Sequence, residues 1–462
     1  MESFREESDS LGTVTISDQC LYGSNTARAL QNFPFNGVVL GQEQGFVTAL
    51  AELKQGCLLA NHELGLISDE VTEALLEACD EMIKGDLNQH LVVSILEGSG
   101  GTSTNMNINE VLANRALLAL GYSPGRYDVI HPNDHVNCGQ STNDVIPSAM
   151  KLAIYRDSEQ LAACLGALAV SLSSKGAEFA DVYRLGRTCL QDGQPMTLGQ
   201  AFEGYAAVIE RAAHRLQHQG VNLLSIPLGG TAIGTGLGSA AGFRSCVFKH
   251  LKHITGLEIE PAANRFDGMQ NLDEFQRLSS EIETATAAMG KIAKDLILLS
   301  SGPKGGLGEI SLPAVQPGSS IMPGKVNPVI AMSVVQLSQL VHGNHACISM
   351  ACQDGQLEIN HYEPVVASRL LDSLHRSVET SEAFRSLCIE GIEADIEKCY
   401  ENLYESYALA TTMVPKLGYA RVSQLVKDSL KQQKPFLQMA EDCELVDSKE
   451  IDELIRSTVL IK

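Results

Sequence analysis

The residues best suited to chemistry lie in one loop, residues 302–328, with the sequence GPKGGLGEISLPAVQPGSSIMPGKVNP. The loop carries six glycines and five prolines between two strongly helical stretches. A loop of this length inside a compact chain is usually functional or disordered. Apolar side chains between Ile310 and Met322 argue against disorder. We therefore expect an ordered functional loop, with a simple connecting loop as the alternative.

The end of this loop predicts an anion-binding site. Asn327 and Pro328 precede an apolar run, which is typical of a helix N-cap followed by proline in the first helical position. A helix N-terminus carries a partial positive charge and would face the same point as the ammonium group of Lys325. Ser319 and Ser320 lie a few residues upstream, within reach of the same anion.

The common phosphate-binding motifs are absent. Five residues separate Gly318 from Gly324, and Val326 follows the lysine, whereas a P-loop needs four residues and a final serine or threonine. The glycine-rich stretch GGTAIGTGLGSAAG at 229–242 lacks the G-x-G-x-x-G spacing, and no βαβ pattern surrounds it. Neither stretch therefore predicts a nucleotide site of these types.

Small polar residues cluster at two other predicted helix starts. The first cluster contains Thr102 and Ser103, and the second contains Ser141, Thr142 and Asn143. One N-cap per helix accounts for only part of each cluster. Neutral hydrogen-bond donors suit the recognition of a carboxylate, so we expect these residues to bind substrate. Simple capping is the alternative.

The histidine pairs predict no metal site. His131 and His135 are four residues apart, but Pro132 breaks the helix that would align them as ligands. His342 and His345 could share a helix face, yet no pair of carboxylates accompanies them. We interpret both pairs as structural and propose no metal site.

Long helices must position these clusters. Between residues 277 and 301 the apolar side chains alternate at spacings of four and three, at Leu278, Ile282, Ala285, Met289, Ile292, Leu296 and Leu299. Similar narrow seams are formed by Ile330, Val334, Leu337, Val341 and Ile348, and by Phe202, Tyr205, Ala206, Ile209, Ala213 and Leu216. Such seams favour a helix bundle, including one that other subunits complete. Ordinary amphipathic helices in a single subunit are the alternative.

The fold class predicted is all-α, with a long central bundle and smaller terminal domains. We expect an N-terminal domain at 1–140, a central helix-bundle domain at 141–395 that carries the loop 318–328, and a small helical domain at 396–462. The opening 40 residues look irregular, with a strand-like stretch at Thr13–Ile16. Helical patterns towards the end cover Ile392–Leu417 and Val422–Leu437.

Composition limits the possible partners. The chain has 462 residues and a formal net charge of −22, so its surface repels nucleic acid and anionic membranes. No apolar run is long enough to span a membrane. Twelve scattered cysteines without a metal or redox spacing suggest reduced thiols in a cytoplasmic compartment. An anionic substrate would need local donors that overcome the net charge.

The three polar clusters, in this order, resemble the fumarase/aspartase superfamily. GSSIMPGKVNP at 318–328 is similar to the signature loop of that family nearly letter for letter. The resemblance begins near residue 11 and ends near residue 365. It includes GRTCLQDGQPMTLGQ at 186–200 and GGTAIGTG at 229–236.

The resemblance implies a homotetramer around a core of about twenty helices, in which three subunits assemble each active site. It also implies cofactor-free anti elimination from a small dicarboxylate. Ser319 corresponds to the base that removes a proton beside a carboxylate. Lys325 and Asn327 correspond to carboxylate partners, and the lysine stabilises the aci-carboxylate that forms. The other substrate-binding positions correspond to Thr102, Ser103, Ser141, Thr142, Asn143, Thr188 and Cys189.

Within this family the sequence favours the aspartase branch, which removes ammonia from L-aspartate or a close analogue to give fumarate. Fumarases have a histidine at the place of Cys189 and an acid in the segment where this chain reads PAVQP at 313–317. GQLEINHYEPV at 355–365 is similar to the aspartase form, whereas His131 is fumarase-like. A fumarate hydratase is the second hypothesis, and a lyase-derived binding or structural protein without turnover is the third. Cys189 either leaves room for a modified substrate or is a neutral filler.

Overall fold

The computed structural model describes residues 3–35 and 37–446, together with residues 450, 453, 456 and 459. Helices dominate it. The helices of the N-terminal half are α1 (Ser24–Asn32), α2 (Gln44–Glu63), α3 (Asp69–Lys84), α4 (Thr102–Ala119), α5 (Thr142–Glu178), α6 (Leu198–Gly220) and α7 (Phe243–Thr255). The remaining helices are α8 (Arg265–Gln270), α9 (Asp273–Leu299), α10 (Val329–Gln353), α11 (Glu363–Leu387), α12 (Ile396–Glu405), α13 (Ala410–Leu417), α14 (Tyr419–Gln432) and α15 (Phe436–Asp442).

The β structure in the described residues is limited to two-stranded pairs. Three of the pairs are antiparallel and one is parallel. The strands are β1 (Phe4–Asp9), β2 (Gly12–Ser17), β3 (Tyr183–Thr188), β4 (Gln191–Thr197), β5 (Ser225–Ile226), β6 (Glu260–Pro261), β7 (Ile310–Ser311) and β8 (Glu393–Ala394). The all-α prediction is therefore confirmed, and the strand expected at Thr13–Ile16 lies within β2.

The chain divides into two compact units that interleave along the sequence. The first unit comprises Met1–Ala162, His214–Thr284 and Leu340–Arg376, and the second comprises Ala163–Ala213, Ala285–Gln339 and Ser377–Lys462. The residues of α5, α6, α9, α10 and α11 are shared between the two units. These units are defined by which segments contact each other, so they do not test the predicted domain boundaries. The division into 1–140, 141–395 and 396–462 stays a prediction.

The core of the first unit is built around α2. This helix packs against α3 and α7, and α3 packs against α4. Gly56 allows the close approach of α7, because a Cβ atom at this position would lie 2.6 Å from Leu251 Cδ2. Helix α2 is buried on nearly every side, which is typical of a helix at the centre of a domain.

The helical seams predicted from the sequence are buried. All seven predicted positions of α9, from Leu278 to Leu299, are at most 5% exposed. The six predicted positions of α6, from Phe202 to Leu216, are also buried. In α10 the prediction is wrong at Ile330, which is only half-buried, and the adjacent Ala331 is buried instead.

The second unit contains a separate apolar cluster near the C-terminus. Its buried members include Leu403, Leu409, Met413, Phe436 and Leu437. The two helical stretches predicted here are present, but each is interrupted. The first is divided into α12 and α13, and the second into α14 and α15. None of the helices in the described part of the chain is long and apolar enough to cross a membrane.

A pair of neighbouring leucines in α4 tests the packing of the first unit. Leu117 is fully buried, whereas Leu118 is 45% exposed. We expect Leu117→Ala to lower the free energy of unfolding by about 2–5 kcal/mol, because it leaves a cavity in the core. The matched variant Leu118→Ala should lower it far less. Urea unfolding followed by circular dichroism measures both, and equal losses would contradict this packing.

Candidate active site

The signature loop closes on itself through backbone and side-chain hydrogen bonds. The amide of Gly318 donates to the carbonyl of Lys325 at 2.8 Å, and Asn327 Nδ2 donates to the carbonyl of Gly318 at 2.5 Å. A Cβ atom at residue 318 would lie 2.6 Å from the Asn327 nitrogen, so only glycine permits this closure. The ordered loop expected from the sequence is therefore present between residues 318 and 327.

The hydroxyl group of Ser319 lies where negative charge on oxygen would be stabilised. Ser319 Oγ accepts hydrogen bonds from the amides of Ile321 at 3.2 Å and Met322 at 3.0 Å. Two amide donors stabilise an alkoxide more than a neutral hydroxyl group. Lys325 is exposed and has no ion-pair partner among the residues that the structure describes. The loop therefore presents a polarised hydroxyl and an uncompensated ammonium group.

The predicted helix cap at Asn327 is wrong in detail. Helix α10 begins at Val329, and the amide of Met332 donates to the carbonyl of Pro328 at 2.9 Å. The Asn327 side chain donates to Gly318 across the loop instead of accepting from the first turn of the helix. The physical reason is that closing the loop satisfies this amide group. Asn327 therefore holds the loop next to the helix start.

The first cluster predicted to bind substrate lies at the start of α4. Gly101, with φ of 89°, precedes this helix in the left-handed conformation. Ser99 Oγ accepts from the Ser103 amide at 2.8 Å and lies 3.0 Å from Ser103 Oγ. Thr102 is exposed. Ser99 thus performs the capping, which leaves the Thr102 hydroxyl available for a ligand.

The second cluster combines capping with surplus donors. Ser141 Oγ accepts from the Asn143 amide at 3.3 Å, and Asp144 Oδ1 accepts from the Ser141 amide at 2.9 Å. This reciprocal arrangement is a capping box at the start of α5. The Thr142 hydroxyl accepts from Asn105 Nδ2 at 3.3 Å, a bond that connects α5 to α4. Ser141 therefore caps α5, whereas capping does not account for Thr142 and Asn143. Substrate binding by this cluster stays a prediction.

Asp144 joins the α5 start to the glycine-rich loop. Its carboxylate is fully buried and accepts from the amides of Gly229 at 3.0 Å and Thr231 at 2.9 Å. Burial raises the pKa of Asp144 to about 6, although the amide hydrogen bonds and Lys54 act in the opposite direction. Asn143 Nδ2 donates to the Ala232 carbonyl at 2.8 Å. The loop at 229–232 therefore positions the Asn143 side chain.

A buried lysine lies near this cluster. Lys54 in α2 is fully buried, and its Nζ donates to Asn137 Oδ1 and Gln140 Oε1, each at 2.9 Å. Asn137 Oδ1 also accepts from Asn105 Nδ2 at 3.2 Å. Burial lowers the pKa of Lys54 to about 8. The lysine therefore anchors a network of amide side chains that continues to Thr142.

The sequence analysis missed Lys54 and Asp144 as members of the site. A signal was available for Asp144, since it follows Ser141 at the spacing of a capping box. Lys54 interrupts the apolar run FVTALAELKQGCLLA at 46–60. A charged residue surrounded by apolar ones on a buried helix indicates a polar partner in the core.

The second unit places Thr188 and Cys189 at the tip of a hairpin. Strands β3 and β4 pair up to Thr188 and Gln191, so that Cys189 and Leu190 form a two-residue turn. Both turn residues have positive φ, 54° and 60°. This is the geometry of a type I′ turn, in which glycine and asparagine are usual. Cys189 is exposed.

A buried carboxylate anchors the base of this hairpin. Glu309 is fully buried, and its Oε1 accepts from Arg187 Nη2 at 2.6 Å and from Asn402 Nδ2 at 3.0 Å. Its Oε2 lies 2.9 Å from Arg184 Nε. Glu309 belongs to the loop segment that precedes the signature loop. This ion pair therefore connects the hairpin to that segment.

The structure brings some predicted residues together and leaves others apart. Ser319, Lys325 and Asn327 share one closed loop. Helices α4 and α5 begin side by side, since a Cβ atom on Gly101 would lie 2.8 Å from Ile146. No hydrogen bond or ion pair within the described residues connects the hairpin tip to the signature loop.

The histidines form local hydrogen bonds. His131 Nδ1 accepts from the amides of Asn133 and Asp134, and His135 Nδ1 accepts from the amide of His131 at 2.9 Å. His345 Nδ1 lies 3.0 Å from Ser279 Oγ. The prediction that Pro132 breaks the helix is wrong, because a proline is tolerated in the first helical position and Pro132 begins a short π-helix, Pro132–Val136, that the His131 side chain caps. His342 Nδ1 and His345 Nε2 both face Glu283. The structural role expected for both pairs stays a prediction. Within the described part of the chain, no cluster of three side chains has the composition of a metal site.

Comparison with known proteins identifies the family. Residues 12–343 match a protein family described as lyase. An aspartate ammonia-lyase from Helicobacter pylori is 40% identical over 455 residues, which cover 98% of this chain and 97% of that protein. The chain therefore belongs to this lyase family, within the fumarase/aspartase superfamily. The resemblance found in the sequence is confirmed.

Two further relatives show the range of the family. A class II fumarate hydratase from Nitrosomonas europaea is 38% identical over 428 residues, which cover 92% of each chain. The crystal structure of a fumarate lyase:delta crystallin from Brucella melitensis bound to cobalt is 40% identical, with a TM-score of 0.95 over 98% of each chain. This structural similarity confirms the fold class.

The buried lysine predicts how stability depends on pH. The folded-state pKa of Lys54, about 8, lies below its ordinary value of 10.5, so the unfolded chain binds this proton more tightly. The contribution of Lys54 to the free energy of unfolding should therefore rise as pH increases from about 8 towards 10.5.

Urea unfolding at several pH values would measure this dependence. Lys54→Met should remove the rise, whereas Lys294→Met, at an exposed position of α9, should keep it. The interpretation is wrong if the parent chain and the Lys54 variant show the same pH slope.

Proposed function

We propose that this chain is a carbon–nitrogen lyase that removes ammonia from L-aspartate, or a close analogue, by reversible anti elimination to give fumarate. The observation that carries the proposal is the signature loop, in which two amides polarise Ser319 Oγ beside the uncompensated Lys325. The named aspartate ammonia-lyase from Helicobacter pylori, similar over nearly its full length, supports the same activity.

In this mechanism Ser319 is the catalytic base. Its alkoxide, stabilised by the amides of Ile321 and Met322, removes the proton next to a carboxylate. The electron pair left on carbon delocalises into that carboxylate and gives a doubly charged aci-carboxylate. The carbon–nitrogen bond then breaks, ammonia leaves and fumarate forms. Lys325 stabilises the extra negative charge, which is the main barrier to this reaction.

The neutral donors select and orient the dicarboxylate. We assign substrate binding to Thr102 and Ser103 at the start of α4 and to Ser141, Thr142 and Asn143 at the start of α5. Hydroxyl and amide groups donate hydrogen bonds to a carboxylate but carry no charge themselves. The empty site therefore contains no additional charge that needs a counter-ion. Asn327, Thr188 and Cys189 complete the proposed set. The proposed site needs no cofactor.

Fumarate hydration is the second candidate, supported by the Nitrosomonas europaea relative. Cys189 argues against it, because fumarases have a histidine at this position of the hairpin tip. A neutral thiol at an exposed turn cannot provide the same charged contact. Cys189 leaves additional space at this point, which a substituted aspartate could fill.

We propose that the active protein is a cytoplasmic homotetramer with shared active sites. Two exposed stripes of small or apolar side chains support this assembly. On α5 the stripe contains Ala163, Ala167, Val170, Ser174 and Ala177, and on α10 it contains Met332, Leu340, Gly343 and Met350. The α5 residues alternate at spacings of four and three, which matches a bundle that other copies complete, and the α10 residues lie on one face of their helix. In such an assembly, partner subunits would contribute residues to each active site.

A substrate panel with matched serine variants tests the function. The parent chain should form fumarate from L-aspartate, measured by its ultraviolet absorbance. Ser319→Ala should lower kcat by at least a hundredfold, because it removes the base, and Ser320→Ala should change it less than twofold.

Each outcome of the panel assigns a function. Fumarate formed from L-malate but not from L-aspartate would establish the hydratase instead. If the chain converts neither L-aspartate nor L-malate, nor any N-substituted aspartate, the remaining hypothesis is a binding protein without turnover. Activity of Ser319→Ala within tenfold of the parent would reject the base assignment even if aspartate were the substrate.

Loop closure has its own test. Gly318→Ala places a Cβ atom 2.6 Å from the Asn327 nitrogen and forces the backbone that carries Lys325 to move. We expect kcat/KM to fall at least tenfold. Gly305→Ala is the matched control, because a Cβ atom there meets nothing within 4 Å. Similar activities for the two variants would show that the closed loop is not required.

A further inference from the structure

The glycine-rich loop borders a cavity that the proposed reaction does not use. The cavity lies in the first unit and has a volume of about 610 Å³. Its walls include the loop residues Thr235 and Gly236, the side chains of Arg244 and Arg265, and Phe248 of α7. We call it the diarginine cavity. None of the residues assigned to substrate binding lines it.

The two arginines lack acidic partners. Neither Arg244 nor Arg265 forms an ion pair with a carboxylate within the described part of the chain. Burial lowers the pKa of Arg244, and the charge of Arg265 lowers it further, so the two guanidinium groups repel each other. In a chain with 56 acidic residues, such a pair without a counter-charge is unusual, and it is suited to binding an anion.

The surrounding loop holds both arginines in place. Arg244 Nη2 donates to the Ala262 carbonyl at 2.8 Å, whereas its Nε is buried and has no hydrogen-bond partner in the described structure. A Cβ atom on Gly229 would lie 3.2 Å from Arg244 Cγ, and one on Gly236 would lie 3.1 Å from Arg265 Nη1. Glycines with positive φ therefore pack closely against both side chains.

A hydroxyl group beside the arginines is also available. Thr235 Oγ1 accepts from the Leu237 amide at 3.3 Å, so its own hydrogen remains free to donate. Guanidinium groups bind phosphate and carboxylate oxygens in pairs of hydrogen bonds. The side of the cavity formed by Phe248 and Pro261 is apolar and could contact an organic group.

We propose that the diarginine cavity is a second anion-binding site, which takes a small dianion, a phosphate group or a dicarboxylate, between Arg244 and Arg265. The site is separate from the proposed catalytic residues. It is also independent of which substrate the lyase uses, because neither arginine belongs to the elimination chemistry. The cavity volume falls within the usual range for small-molecule sites.

Isothermal titration calorimetry of the full chain at constant ionic strength tests the proposal, with inorganic phosphate and succinate as probes. The titrations use Lys325→Met as the background, since this substitution removes the cation of the proposed catalytic site. At least one probe should bind, and adding Arg244→Met or Arg265→Met should weaken binding at least tenfold. Adding Arg421→Met, at an exposed position of α14, should leave binding unchanged.

The outcomes separate the possible ligands. Binding of phosphate alone supports a phosphate-bearing ligand, and binding of succinate alone supports a dicarboxylate. No binding of either probe, or binding that both arginine variants retain, overturns the proposal. Arg265→Met breaks no hydrogen bond of the described chain, so it remains informative if Arg244→Met fails to fold. Circular dichroism of each variant checks the fold.

Discussion

The buried carboxylate of Asp144 is the interaction on which the first unit of this protein depends. It accepts hydrogen bonds from amides at the start of α5 and from Gly229 and Thr231 in the glycine-rich loop. A single side chain thus fixes two segments that are far apart in sequence. Neutralising it would leave amide donors without a full acceptor, a costly change in a buried site. Lys54 provides the nearby positive charge that offsets this buried carboxylate.

Charge explains how an acidic protein can act on a dianion. With a net charge of −22, the surface as a whole repels such a substrate. Local groups must therefore supply the attraction, and the structure provides them in two forms. Hydroxyl and amide donors cluster at the starts of α4 and α5, while Lys325 has no ion-pair partner among the described residues. In the proposed mechanism the cation acts where negative charge increases during the reaction, and the neutral groups act where charge is constant.

Local sequence patterns predicted many of the helices and polar helix starts of this molecule. They did not predict contacts between residues that are far apart in sequence. The seam of α9 and the polar helix starts are repeated or local signals, and the structure contains them. The Asn327 side chain was misassigned, because its partner Gly318 lies nine residues upstream and meets it only when the loop closes. Lys54 was missed, since its partners Asn137 and Gln140 lie more than 80 residues away.

The hairpin tip shows how strain and anchoring can mark a functional position. Cys189 and Leu190 both adopt the left-handed conformation, which costs roughly 1–2 kcal/mol for each residue that has a Cβ atom. Folding alone would favour asparagine and glycine at this turn. Cys189 and Leu190 occupy the turn nevertheless, and the buried Glu309 fixes strand β3 close to the tip through Arg187. Backbone strain of this kind is concentrated at functional sites, so it is an argument for the hypothesis that the side chain of Cys189, and not only the turn, matters for function.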